Sequence, residues 1–72
     1  MAAERTWMRA ARVANNLTLQ NVADATGVSR QEVSAWELGR RLPNVRRLFS
    51  LALILHIDPL VIMERFAEEP AE

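Results

Sequence analysis

Arg30, Gln31, Ser34 and Ala35 are the residues whose types and spacing invite a chemical reading. At helical spacing they share one face, and three of the four bring hydrogen-bonding side chains to it. An arginine there offers a planar fork of donors, and a glutamine amide offers a donor and an acceptor side by side. This is equipment for recognition, not for making or breaking bonds. No nucleophile and base can be paired elsewhere in the chain, and no phosphate-binding loop is present. His56 is the one histidine; without cysteine, and without an acid at ligand spacing, it makes no metal site. It reads instead as a helix-end residue near the last carbonyls. An enzyme is therefore not expected, nor a cofactor.

Charge supports the same reading. The net charge is zero, but its distribution is uneven. Residues 30–47 carry Arg30, Arg40, Arg41, Arg46 and Arg47 against Glu32 and Glu37. Residues 58–72 carry Asp58, Glu64, Glu68, Glu69 and Glu72 against Arg65. A basic middle and an acidic tail suit a polyanionic partner for the first. All nine basic residues are arginine, which a GC-rich genome explains as simply as function does. The absence of cysteine suits a reducing cytosol. The most apolar window, "LFSLALILHIDPLVIM", is broken by His56, Asp58 and Pro59 and is too short to span a bilayer. A cytoplasmic, nucleoid-associated protein with no membrane partner is expected.

The elements that must position the face follow from punctuation in the sequence. With 72 residues there is room for one small domain. Half of the residues are hydrophobic and no window alternates with period two, so the expected class is all-α, without a sheet. Five short helices are predicted. The first spans 6–15, with Trp7, Ala11 and Ala14 at helical spacing. Thr18 caps the second, which runs through Ala25 with Leu19, Val22 and Ala23 inward. Ser29 and Glu32 have the spacing of a capping box that opens the third, which ends near Leu38. Asn44 caps a fourth helix, 45–56, with Val45, Leu48, Ala52 and Leu55 inward. Asp58-Pro59 opens a fifth, ending near Phe66. Residues 1–66 make the domain, and 67–72 are expected to be a flexible acidic tail.

The second and third helices are joined by about three residues. Ala23 permits a close crossing, Gly27 accepts the left-handed turn, and Val33 and Trp36 pin the third helix to the core. This is a helix-turn-helix whose second helix can enter a DNA major groove. The run "LTLQNVADATGVSRQEVSAWELGRRLPNVRRLFSLALIL", with its E-x-G-x-x-x-P segment, resembles regulators of the lambda Cro and C1 repressor type, the xenobiotic-response-element class. The resemblance extends over residues 7–63. It implies a compact five-helix bundle of the lambda-repressor-like DNA-binding type.

By that resemblance, Arg30, Gln31, Ser34 and Ala35 match base-contacting positions. Arginine can fork onto guanine and glutamine onto adenine, while Ala35 can offer only a methyl group. Thr18, Gln20, Arg40, Arg41 and Asn44 are the expected phosphate contacts, with Arg46 and Arg47 adding charge. Where the family often has glutamine directly after the cap of the second helix, this chain has Leu19; either Gln20 substitutes or that contact is missing. Arg12 and Glu37 match a family pair that ties the first helix to the end of the third.

Leu53 and Ile54 stand where the family usually has polar residues. With Ile62 and Phe66 they are expected to form a two-fold dimer interface. The alternative is that the fifth helix packs back over them within one chain. The implied function is a dimeric, sequence-specific transcriptional regulator of double-stranded DNA, with repression the expected sign. The alternative is a protein-interaction module, antitoxin-like or an accessory subunit, docking a partner protein through the apolar C-terminal helix. A further alternative is one domain of a longer regulator.

Overall fold

The computed structural model describes residues 4–69. Five helices follow one another: α1 (Thr6–Ala14), α2 (Leu19–Thr26), α3 (Arg30–Glu37), α4 (Val45–Leu55) and α5 (Pro59–Ala67). The described residues contain no strand, and none of their helices is long and apolar enough to cross a membrane.

Four of the five helices start on a side-chain cap. Thr18, Ser29, Asn44 and Asp58 each accept a backbone N–H from the first turn that follows. The reciprocal box lies at α2, where Asn21 also accepts from the Thr18 N–H at 2.9 Å. At α3 only half of the expected box is made. Ser29 Oγ accepts from the Glu32 N–H at 3.1 Å, but the Glu32 carboxylate turns away toward other donors. His56 closes α4 through its backbone, at φ 56°, in the left-handed region that asparagine or glycine usually fills.

The core holds Met8, Val22, Ala23, Val33, Trp36, Leu51, Ala52, Leu55 and Ile62, so every helix contributes. Ala23 and Val33 are fully buried and Trp36 nearly so, which fixes the pose of α3. Burying each larger apolar side chain is worth about 1.5–3 kcal/mol, so these contacts dominate the fold's stability.

Several expectations are corrected. Val45 is exposed, Leu48 is only half-buried, and Leu51 takes the inward place on α4, because the buried stripe runs through Leu51, Ala52 and Leu55. Ile62 is 0% exposed within its own chain and is removed from the expected dimer interface. Ile54 and Phe66 are half-buried against the same core, so the fifth helix does pack back on the chain. Leu53 alone of the four points outward, at 73% exposure. The boundary expected after Phe66 falls inside α5, and Glu69 is bound to Arg5 rather than free. Residues 70–72 of the expected tail lie outside the described residues.

Candidate nucleic-acid interface

The turn between α2 and α3 positions the candidate face. Gly27 ends α2 at φ 74°, and its N–H donates to the Ala23 carbonyl at 2.8 Å. Arg47, reaching over from α4, donates through Nη1 to the Thr26 carbonyl beside it. A Cβ at Gly27 would lie 2.7 Å from that Nη1. Gly27→Ala is therefore expected to cost about 2 kcal/mol or more, the sum of a left-handed alanine and a displaced Arg47. Chemical denaturation checks this. In an Arg47→Ala background the same change should cost about 1 kcal/mol less; equal costs would show that Arg47 takes no part.

With the turn set, α3 divides into two faces. Val33, Trp36 and Glu37 are buried; Arg30 and Gln31 are exposed on the first turn, with Ser34 and Ala35 half-buried one turn on. The helix thus presents its polar N-terminal turn and keeps its apolar residues in the core.

The expected phosphate contacts lie at helix starts and in the loop after α3. Thr18 and Asn44 are exposed caps, and Asn44 Oδ1 accepts the Arg47 N–H at 2.9 Å. Gln20 is exposed, with its amide donating to Asp24 Oδ1 at 2.8 Å, so part of its hydrogen-bonding capacity is already used on α2. Arg40 and Arg46 are exposed. Arg41 Nε lies 3.0 Å from Glu32 Oε2, and that same oxygen accepts the Trp36 indole N–H at 3.0 Å.

Arg12 Nε and Glu37 Oε2 are 2.6 Å apart, and both side chains are largely buried. Arg12 also donates to the Leu17 carbonyl at 2.9 Å. One guanidinium therefore joins α1, the start of the α2 segment and the end of α3. A cleft of about 230 Å³ opens beside this pair, with Arg9, Leu19 and Ser34 among its walls.

Sequence reasoning missed Arg5. It is 4% exposed, and its guanidinium donates to the Trp36 carbonyl, to the Arg41 carbonyl at 2.9 Å, and to both oxygens of Glu69 at 2.6 and 2.9 Å. It lies over the Phe66 ring, 4.9 Å from the centroid. Phe66 in turn meets Trp7 edge-on at 5.4 Å. The Arg5 backbone N–H donates to the Glu37 carbonyl at 2.7 Å. Arg5 thus satisfies carbonyls at the end of α3, where the helix dipole favours a cation. One signal was available: a basic residue immediately before α1 is unfavourable to that helix's own dipole, so it needed a partner elsewhere.

Comparison with known proteins gives a consistent picture. A helix-turn-helix family model matches residues 8–62. The chain is 36% identical over 51 residues to the uncharacterized HTH-type transcriptional regulator YqaE of Bacillus subtilis (strain 168), covering 71% of this chain and 44% of that protein. It therefore spans less than half the length of that curated relative. Among solved structures it is similar to the restriction-modification controller protein C.AhdI from Aeromonas hydrophila. That match has a TM-score of 0.69 and 29% identity, and covers 76% of this chain and 83% of the other. With the capped turn, the buried Ala23, Val33 and Trp36, and these matches together, the chain belongs to the helix-turn-helix family, in its Cro/C1 type.

Proposed function

We propose that this chain is a sequence-specific DNA-binding regulator of transcription, acting as a repressor, that lays α3 in the major groove of a palindromic operator. The observation that carries the reading is the division of α3: Arg30 and Gln31 exposed on its first turn, with Val33, Trp36 and Glu37 buried behind them. Arg30 is suited to guanine O6 and N7, and Gln31 to adenine N6 and N7. Thr18, Asn44, Arg40 and Arg41 supply the phosphate contacts that set register without reading sequence. Ala35 and Ser34, one turn on, take methyl and hydroxyl contacts.

One recognition helix reads too few base pairs to pick a unique site, so the reading includes a dimer. Its seam is placed on Phe49 and Leu53, exposed one turn apart on α4, and on Leu60 at the start of α5. Two half-sites about 34 Å apart would then be read together.

Selection from a random duplex library tests the proposal, and recovery of a palindrome is the expected result. Arg30→Ala and Gln31→Ala should each cost about 1–3 kcal/mol and relax one base position. Arg41→Ala should instead weaken binding to every sequence, the selected site most, and reduce the salt slope by about one. If neither α3 substitution alters the selected motif, the docking is wrong.

A second reading, a module that docks another protein through α5, draws on the exposed Leu60, Val61 and Met63. A library that yields no enriched sequence favours it.

A further inference from the structure

We propose that Glu32 is a positioning residue for DNA recognition: it holds Arg41 in one pose relative to α3, so that a backbone phosphate and the base edges are engaged in one register. The inference rests on the DNA-reading assignment above. Glu32 occupies the third position of α3, directly after Arg30 and Gln31. Its carboxylate does not complete the capping box. Oε2 accepts the buried Trp36 indole N–H at 3.0 Å and Arg41 Nε at 3.0 Å. The indole fixes the carboxylate, and the carboxylate fixes the guanidinium.

Arg41 is held at a second point as well, since its carbonyl accepts from Arg5 Nη1 at 2.9 Å. Yet the Arg41 side chain is 66% exposed. Only Nε has a partner among the described residues, which leaves both terminal nitrogens as donors for a phosphate. An unheld arginine would lose considerable rotamer freedom on meeting a phosphate; this one has lost much of it beforehand.

The sign of the effect separates positioning from charge. As a bare negative charge near a phosphate, Glu32 would oppose binding to any duplex, and its removal would raise specific and non-specific affinity alike. As a positioning residue, its removal lowers the ratio of the two. Glu32→Gln retains an acceptor for Trp36 but loses the charge-assisted bond to Arg41. The ratio of affinities for the selected site and for a random duplex should fall about tenfold, and random-duplex affinity should not fall. In an Arg41→Ala background, Glu32→Gln should leave the ratio unchanged. Arg41→Lys, at a position that does not threaten the fold, keeps the charge but not the fork. It should preserve the salt slope and lower the ratio about tenfold.

Fluorescence anisotropy with the two duplexes reads all four variants, the double substitution included. A wild-type protein without sequence preference would overturn the DNA reading and this inference with it. A wild type with preference would overturn this inference alone in any of three cases: if Glu32→Gln does not lower the ratio, if Arg41→Lys keeps the wild-type ratio, or if Glu32→Gln lowers it equally with and without Arg41.

Discussion

Arg5→Ala should lower the midpoint of thermal unfolding by about 15 °C. The side chain is buried and holds four acceptor atoms: the Trp36 and Arg41 carbonyls and both oxygens of Glu69. Removing one member of a buried charge pair costs about 3–5 kcal/mol. Glu69 is 28% exposed at its side chain and can recover some hydration, which sets the expectation at the lower end, about 3 kcal/mol. A core this small supplies about 3–5 kcal/mol in all. At about 4–8 °C per kcal/mol the shift is large. Arg5→Lys should recover little, because an ammonium cannot span both Glu69 oxygens and the two carbonyls. Circular dichroism melts give the answer; a shift under about 5 °C would mean that solvent replaces the guanidinium cheaply.

Phe49→Glu combined with Leu53→Glu should leave a folded monomer whose operator affinity is lower by about a hundredfold or more. Both side chains are exposed, 48% and 73%, so the substitutions add no charge to the chain's own core. The same could not be said of Ile54 and Phe66, which pack against that core, and substituting them would unfold the protein instead of separating two copies. At a seam between copies, two facing pairs of carboxylates are desolvated and repel. Losing the second reading head removes the avidity that joins two half-sites, a factor of about 10²–10⁴. Sedimentation velocity reports the mass and anisotropy the affinity. Unchanged sedimentation, with the wild type already monomeric at high micromolar concentration and binding a half-site as tightly as the palindrome, would remove the dimer.

The parts of the molecule legible in the sequence are those built from short-range spacing. Ala23, Gly27, Val33 and Trp36 lie within one turn-linked pair of helices, so periodicity and cap chemistry locate them without any knowledge of tertiary structure. Thr18, Ser29, Asn44 and Asp58 were readable for the same reason. On α4 the apolar residues outnumber the places on one face. Spacing alone could not decide between Val45 and Leu51, and contact with α2 and α5 decided it. The Arg5–Glu69 pair spans 64 positions and has no periodicity to betray it. Local spacing predicts Glu32 as half of a capping box, whereas its carboxylate serves Trp36 and Arg41. Long-range polar contacts are thus the blind spot, and at the candidate interface they hold Arg41, a loop residue that the family resemblance and not periodicity singles out.

Arg5 also bears on the order of events in time. The contacts that shape the α2–α3 turn close over a handful of residues, whereas the bond from Arg5 to Glu69 closes a span of 64. Joining distant segments costs chain entropy that local helix pairing does not. The clasp is accordingly among the last contacts to form and among those least developed at the folding barrier. Contacts of that kind leave the speed of folding nearly untouched and act on the speed of opening. The buried guanidinium is then a brake on unfolding: it lengthens the life of the native state while α3 and its turn set how quickly that state is reached.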